Sequence, residues 1–284
     1  YYSHLDWTRE DYYPLGRTGK GTGRKGHGEW KSYYEFMNNQ LTELLTNYGP
    51  IGAIWFDGMW DQPDNFDWQL GKQYALIHKL QPDCLIGNNH HKAPNPGEDF
   101  QMFERDLPGE NKAGFSAGST IGKLPLETCE TMNGMWGYRI KDQDYKSVPV
   151  LVRLLVKAAG KGANLLMNIG PQANGELPAV AVERMKGMGE WMKKYGETIY
   201  GTTAGDVHTA DWGTTTRKGD KLYVHILTDK MPEEITLPLD CKVKKAVSFD
   251  SKQAVKFKRT KEGVVLSTAG LQPDIDCIVE LTTK

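Results

Sequence analysis

The stretch IGAIWFDG, residues 51–58, gives the clearest indication of the fold class of the first part of the chain. Its apolar residues form an unbroken run of strand length, which is typical of a parallel strand covered on both faces. A helix is predicted before it, from about Trp30 to Tyr48, because apolar side chains recur there at spacings of three and four. Gly49 and Pro50 end that helical pattern. A buried strand fed by an amphipathic helix predicts a layered α/β architecture.

The same alternation of helix and strand continues along the chain. Further helices are predicted over about 68–80 and 148–160 and over a segment that ends at Gly196. Further strands are predicted in CLIGNN (84–89), EDFQMFE (98–104), LETCETM (126–132) and ANLLMNIG (163–170). We therefore predict an α/β region with a parallel sheet over residues 1–201. Residues 202–284 instead contain short β-rich runs between turns, several of them alternating apolar and polar, and predict a separate antiparallel β-sandwich.

Charge and composition exclude several classes of partner. Lys and Arg number 35 and Asp and Glu 36, so the net charge of −1 gives no reason to expect nucleic acid or an anionic membrane. No apolar run approaches the roughly 18 residues needed to span a bilayer. The four cysteines are far apart and match no zinc spacing, and we expect them to be reduced and mostly buried.

Acids and amides follow the predicted parallel strands. In such sheets ligands bind where the strands end at their carboxyl side. The residues found at these ends are Asp6, Asp57, Asn88, Asn89, Glu104, Glu127 and Asn168. A long Gly- and Arg-rich segment, residues 8–29, lies among them and reads equally well as a functional loop or as a basic surface loop.

Asp57 and Glu104 are the two candidates for chemistry. Asp57 ends an aromatic strand, and a carboxylate in apolar surroundings is costly unless it has a function, although Asp57-Gly58 could also begin a turn. Glu104 ends another strand, and Arg105 beside it could simply be its ion-pair partner. Two carboxylates in one pocket can divide the work of glycoside cleavage, and a separation of roughly 5 to 5.5 Å favours retention of configuration.

Aromatic and imidazole side chains add to this interpretation and also leave an alternative open. Trp55 and Trp136 are placed near strand ends, where flat apolar rings could cover a sugar, although each could equally fill the core. His90 and His91 could bind a metal with a neighbouring aspartate. Adjacent residues at a strand end point in opposite directions, so a single histidine that binds a substrate hydroxyl is the favoured interpretation.

Five motifs in order resemble the α-L-fucosidases of glycoside hydrolase family 29. They are IWFDG, GNNHH, EDFQMFERDLPGEN, LPLETCETMNGMWGY and GKGANLLMNIGPQANGELP, and the resemblance runs from residue 1 to about residue 204. It implies a (β/α) TIM-like barrel followed by a C-terminal β-sandwich. It also implies a retaining exo-α-L-fucosidase that removes terminal fucose from oligosaccharides or glycoconjugates without a cofactor or metal, in the periplasm or outside the cell.

The resemblance also implies roles for individual residues. Asp57 matches the family's nucleophile and Glu104 its acid/base, with Glu127 and Glu130 as the fallback positions for the second role. Trp55, Trp136, Tyr2 and His90 are the implied substrate-binding residues, and His90 stands approximately where some members have an arginine.

The chain also departs from the family pattern at its start. The HWG motif and the paired-histidine motif of the family's N-terminal barrel strands do not occur, and we count five or six barrel strands rather than eight. We therefore expect an N-terminally incomplete barrel, either a fragment or one half of a split enzyme whose partner is the missing half. Such a barrel would expose unpaired edges, so we expect little or no activity from the chain alone. A non-catalytic fucose-binding protein and a metal-dependent hydrolase centred on His90 and His91 remain the alternatives.

Overall fold

A computed structural model describes residues 1–24, 26, 28–117 and 119–284. The chain divides into two compact units. The first comprises Tyr1–Glu104 with Asn111–Leu126, and the second comprises Arg105–Glu110 with Glu127–Lys284. The predicted domain boundary at residue 201 lies inside the second unit and stays a prediction.

The first unit contains a parallel sheet and two helices. Its elements are β1 (Tyr2–Ser3), α1 (Trp30–Asn47), β2 (Ala53–Asp57), α2 (Leu70–Leu80), β3 (Leu85–Asn88) and β4 (Gln101–Glu104). Strand β2 lies between β1 and β3, with Phe56 opposite Tyr2 on one side and opposite Asn88 on the other. A parallel bridge joins Phe100, just before β4, to Gly87. The helices and strands predicted here are confirmed, with ends that differ by a few residues.

Strand β2 presents different faces to the helices and to the other side of the sheet. Ile54 and Phe56 are buried with side chains of α1 and α2, including Leu41 and Ile77. Trp55 and Asp57 are only half-buried, because alternate side chains of a strand point to opposite faces. An unbroken apolar run in the sequence therefore gives one closed face and one face that remains available to a ligand.

The second unit begins with two strands and two helices. They are β5 (Leu126–Thr131), α3 (Val148–Gly160), β6 (Ala163–Asn168) and α4 (Ala179–Tyr195). Strands β5 and β6 are hydrogen-bonded neighbours. The helix predicted over 148–160 is confirmed at both ends. Ser147 precedes it as expected, but its side chain forms no capping hydrogen bond.

Eight strands follow in the second unit and form two antiparallel sheets. They are β7 (Thr203–Ala204), β8 (Gly213–Lys218), β9 (Lys221–Ile226), β10 (Glu234–Leu237), β11 (Val243–Ser248), β12 (Phe257–Thr260), β13 (Gly263–Ser267) and β14 (Cys277–Thr283). One sheet has the order β11-β14-β9-β8-β7 and the other the order β10-β13-β12. Side chains from both sheets form one apolar core, which includes Val224, Leu237, Leu266 and Val279. The change to short antiparallel strands after residue 201 is thus confirmed.

Helices α3 and α4 share a second core with the larger of these sheets. Leu151, Val152 and Val156 of α3 are fully buried together with Tyr223 of β9 and Ile278 of β14. Within the described residues, no helix is both long and apolar enough to cross a lipid bilayer.

Candidate active site

Asp57 ends strand β2 with its carboxylate held by two donors. The backbone N–H of Gly58 donates to Oδ1 at 2.7 Å, and the hydroxyl of Tyr1 donates to Oδ2 at 2.6 Å. The backbone carbonyl of Asp57 accepts the N–H of His4 at 2.8 Å. Hydrogen bonds therefore fix both the carboxylate and the backbone carbonyl of Asp57, and its side chain lies on the half-buried face of the sheet.

The Tyr1 hydroxyl is influenced by both the Asp57 and the Glu104 carboxylates. Its ring stacks on Trp55 with centroids 5.5 Å apart and planes inclined by 27°. The pKa of Tyr1 is raised, first by desolvation, then by the hydrogen bond to Asp57 and by the negative charges of Asp57 and Glu104. The phenol is therefore a protonated donor at neutral pH, hydrogen-bonded to Asp57 and also subject to the negative charge of Glu104.

Glu104 ends strand β4 with two polar side chains against one of its oxygens. The Asn89 amide donates to Oε2 at 2.8 Å, and Nε2 of His91 lies 3.6 Å from the same oxygen. Asn89 is almost fully buried, and its backbone N–H donates to the carbonyl of Phe56 at 2.8 Å. The support of Glu104 is thus tied directly to the strand that carries Asp57.

Tyr2, expected in the pocket, points to the opposite face of the sheet. Its hydroxyl donates to Oε1 of Gln40 at 2.8 Å, and its ring packs edge-on against Phe56, with centroids 5.8 Å apart. Tyr1 takes the position expected for it, because neighbouring strand residues alternate between faces. The sequence offered two consecutive tyrosines and no way to decide which one shared a face with Asp57.

His90, also expected to bind substrate, is buried beside a different carboxylate. Its Nε2 lies 3.0 Å from Oε1 of Glu98, and its Nδ1 accepts the backbone N–H of Lys92 at 3.1 Å. Both ring nitrogens are therefore occupied by the protein, and His91 is the histidine that faces Glu104. His91 has a φ of +59°, so the chain turns sharply after the strand and orients the two rings differently.

The remaining predicted site residues belong to the second unit. The Arg105 guanidinium lies over the ring of Trp136, 5.0 Å from its centroid, and donates to the carbonyl of Gly134 at 2.8 Å. Glu130, a fallback acid/base, lies 3.6 Å from Nζ of Lys146. Glu127, the other fallback, lies on β5. Glu104 is the candidate that shares a unit with Asp57.

The donor set does not favour a metal centre at the two histidines. Among the described residues, no group of three or more His, Cys, Asp or Glu side chains could hold a metal ion. His90 and His91 lie against different carboxylates, Glu98 and Glu104. The pair therefore does not form a common ligand set.

Two supporting residues, Tyr1 and His4, were not assigned a role from the sequence, and His91 was considered there only as a metal ligand. His4 is fully buried, stacks on Phe56 and places Nδ1 3.2 Å from the Asp57 carbonyl. Burial lowers the pKa of His4 to about 4, against the opposing effect of hydrogen bonds to Gln73 and Asp57. The only sequence signal for these residues was their place at strand ends, which applied equally to their neighbours.

These features define an α/β protein in which two carboxylates, an aromatic wall and a phenol meet at the carboxyl ends of parallel strands. The family model described as alpha-L-fucosidase matches residues 1–197. The chain belongs to the α-L-fucosidase family.

Relatives of known name agree with this assignment. The plasma alpha-L-fucosidase of Rattus norvegicus is 33% identical over 208 residues, which are 68% of this chain and 42% of that protein. The alpha-L-fucosidase of Dictyostelium discoideum is 26% identical over 252 residues, 84% of this chain and 50% of that protein. The chain thus spans about half or less of the length of these curated relatives.

A solved structure extends the likeness to the whole chain. Alpha-L-fucosidase isoenzyme 1 from Paenibacillus thiaminolyticus superimposes with a TM-score of 0.81 at 33% identity, covering 100% of this chain and 71% of that one. Both units therefore have the folds found in that enzyme.

Proposed function

We propose that this chain carries the catalytic carboxylates of a retaining exo-α-L-fucosidase, with Asp57 as nucleophile and Glu104 as acid/base. The observation that carries the proposal is the Tyr1 hydroxyl, which is bonded to Asp57 and lies within the electrostatic reach of Glu104. Two carboxylates that act on one polar group from the ends of strands β2 and β4 match the arrangement that double displacement requires. Membership of the α-L-fucosidase family supports fucose as the sugar.

The reaction proceeds in two displacement steps at the anomeric carbon. In the first, an Asp57 oxygen forms a bond to the anomeric carbon while the glycosidic C–O bond breaks, and Glu104 gives its proton to the departing oxygen. In the second, Glu104 removes a proton from water, the water oxygen bonds to the anomeric carbon, and the bond to Asp57 breaks. Two inversions give fucose with its original anomeric configuration.

The surrounding residues supply binding and orientation. Trp55, stacked with Tyr1, offers an apolar surface for the sugar ring next to the nucleophile. The Tyr1 hydroxyl donates to Asp57 and orients the attacking carboxylate. Trp136, fixed under Arg105, is the second aromatic ring that we assign to the substrate. The substrate class is a terminally fucosylated oligosaccharide or glycoconjugate.

The family also suggests the finer architecture. We propose that β1 to β6 with their helices are strands of a (β/α) barrel and that β7 to β14 form the C-terminal β-sandwich. The junction is placed near residue 201, where the chain passes from α4 to the antiparallel strands.

The nucleophile is tested by covalent trapping and by substitution. The test uses a complete enzyme, because little or no activity is expected from the chain alone. A 2-deoxy-2-fluoro-α-L-fucosyl fluoride should label it once, and peptide mass spectrometry should place the adduct on Asp57. Asp57→Ala should abolish labelling and lower kcat/KM for an aryl α-L-fucoside by ~10²-fold or more. Asp64→Ala is the control, since that side chain is 92% exposed and is ion-paired with Lys92.

Other outcomes of this experiment separate the rival functions. Labelling of a different residue, or a loss of only a few-fold in Asp57→Ala, would reject Asp57 as nucleophile. Calorimetric binding of fucose without labelling or turnover would instead support a non-catalytic fucose-binding protein.

A further inference from the structure

We propose that Asn89 and His91 are positioning residues that hold Oε2 of Glu104, so that Oε1 is the oxygen that exchanges the proton with the leaving group. This inference rests on the proposed role of Glu104 as acid/base and goes beyond it by assigning a separate role to each of the two carboxyl oxygens. Asn89 and His91 themselves transfer no proton and form no bond to the substrate.

The contacts of Asn89 and His91 converge on the same oxygen. Asn89 donates its amide N–H to Oε2 at 2.8 Å, and the Nε2 atom of His91 lies 3.6 Å from it. An amide N–H needs a lone pair, so Oε2 stays an acceptor whether Glu104 is ionised or protonated. The carbonyl oxygen of a protonated carboxyl group is a stronger acceptor than its hydroxyl oxygen, so the acid form favours the proton on Oε1.

Both supporting groups are held in place by their own surroundings. Asn89 is 2% exposed, and its backbone is bonded to Phe56, next to Asp57. The ring of His91 packs on Phe115, with centroids 5.3 Å apart and planes inclined by 30°. A carboxyl group supported in this way loses little rotational freedom when it transfers a proton.

The backbone conformation at His91 points to a functional constraint. Its φ of +59° is a conformation that non-glycine residues rarely adopt and that glycine adopts freely. Arg105, directly after Glu104, has a φ of +56° as well. Such conformations cluster at active sites, where the surrounding structure holds them. We attribute the presence of histidine at a position where glycine would be less strained to the contacts of its side chain.

The kinetic test separates proton transfer from general damage. In the complete enzyme, Asn89→Ala and His91→Gly should lower kcat/KM by ~10-fold or more for a fucosyl disaccharide, whose leaving group needs a proton. For 4-nitrophenyl α-L-fucoside, whose leaving group needs little assistance, the loss should stay within about threefold. Equal losses on both substrates would overturn the proposal.

Stability measurements distinguish positioning from packing. His91→Gly removes the side chain and relieves the positive φ, so the Tm should stay the same or rise while the disaccharide reaction slows. Asn88→Ala is the matched control for Asn89, because its amide donates to Tyr74 and not to Glu104. That variant should keep the ratio of the two substrates at the wild-type value.

A readout without turnover keeps the inference separate from the proposed function. Two-dimensional ¹H–¹⁵N spectra of the histidine rings, recorded across pH, should show His91 Nε2 responding to the ionisation of Glu104. The groups that act on Glu104 from the packed elements are His91, Tyr1 and, through Tyr1, Asp57. The response should vanish in Glu104→Gln and persist in Glu98→Gln.

The two failures then look different. A complete enzyme that turns over no fucoside but shows the coupled titration contradicts the proposed function and keeps the arrangement around Glu104. A chain that turns over fucosides while His91 ignores Glu104→Gln contradicts this inference and keeps the proposed function.

Discussion

Asp57 is positioned by the glycine that follows it. Gly58 has a φ of +106°, and a Cβ built there would lie 2.7 Å from Cγ of Leu5. The same backbone N–H donates to Asp57 Oδ1, so a shift of residue 58 also moves the carboxylate. Glycine is thus required twice, for conformation and for space.

We expect Gly58→Ala to destabilise the first unit by roughly 2 kcal/mol or more in urea unfolding, because strain and a clash add. Gly49→Ala is the control, since Gly49 has a φ of +75° and nothing within 4 Å of a built Cβ. That variant should cost only about 1 kcal/mol. Equal costs would show that Leu5 does not restrict residue 58.

His4 makes stability depend on pH at this same site. Burial lowers its pKa from 6.5 to about 4, so the unfolded chain takes up a proton that the native chain excludes. The contribution is complete above about pH 6.5 and is lost as the pH falls towards 4, to a total of about 3 kcal/mol. Urea unfolding at pH 7, 5.5 and 4 measures this loss. His4→Asn should flatten it, and an unchanged slope would contradict the assignment.

At the scale of elements, a buried carboxylate orders the segment between β1 and α1. Asp61 accepts the backbone N–H of Thr18 at 2.8 Å and the hydroxyl of Tyr12 at 2.8 Å. A Cβ on Gly16 would collide with the Asp61 side chain, so the two chain segments are in close contact. The sequence left open whether residues 8–29 form a functional loop or a basic surface loop. In the structure, Tyr12 and Thr18 of this segment are hydrogen-bonded to the Asp61 carboxylate.

We expect Asp61→Ala to free this segment, because buried donors lose their acceptor. Limited trypsin digestion at the exposed Arg17 and Lys20 should become about tenfold faster or more. Asp64→Ala, at an exposed ion pair with Lys92, should leave the rate unchanged. Cleavage at the wild-type rate in Asp61→Ala would mean that other contacts hold the segment.

At the scale of the whole molecule, the second unit depends on a buried ionisable pair. His225 on β9 and Asp276 before β14 are fully buried with Nδ1 and Oδ2 2.7 Å apart, and Nε2 lies 3.0 Å from the Thr216 hydroxyl. Desolvation raises the pKa of Asp276, against the effect of His225. The contact between them gives each of these two buried polar side chains a partner inside the second unit.

We expect Asp276→Ala to destabilise the second unit by ~3–5 kcal/mol, because a buried imidazole is left without its partner. Guanidinium unfolding followed by fluorescence measures this change. Asp229→Ala, which removes an 86% exposed partner of Arg153, should leave the unfolding midpoint nearly unchanged. Similar values for the two variants would argue against a structural role for the buried pair.

The local sequence pattern was sufficient to select a candidate site residue where no adjacent residue of the same type competed with it. Asp57 and Glu104 were found because each directly follows an apolar run whose strand end could be read from the chain. Tyr1 and Tyr2, and likewise His90 and His91, were adjacent residues of the same type. Choosing between them required the strand face and the φ of +59° at His91, and both depend on contacts distant in sequence.

From the amino-acid sequence we could predict the order of helices and strands, the change to antiparallel strands after residue 201 and the family, and we could propose Asp57 and Glu104 as the catalytic carboxylates. Hydrophobic periodicity and short motifs are local, so the chain carries them without folding. The tertiary structure decided that Tyr1 bonds Asp57, that Asn89 and His91 support Glu104, and that His90 belongs to Glu98. Those choices arise from side chains brought together across strands, and pairwise geometry of that kind exists only once the sheet has formed.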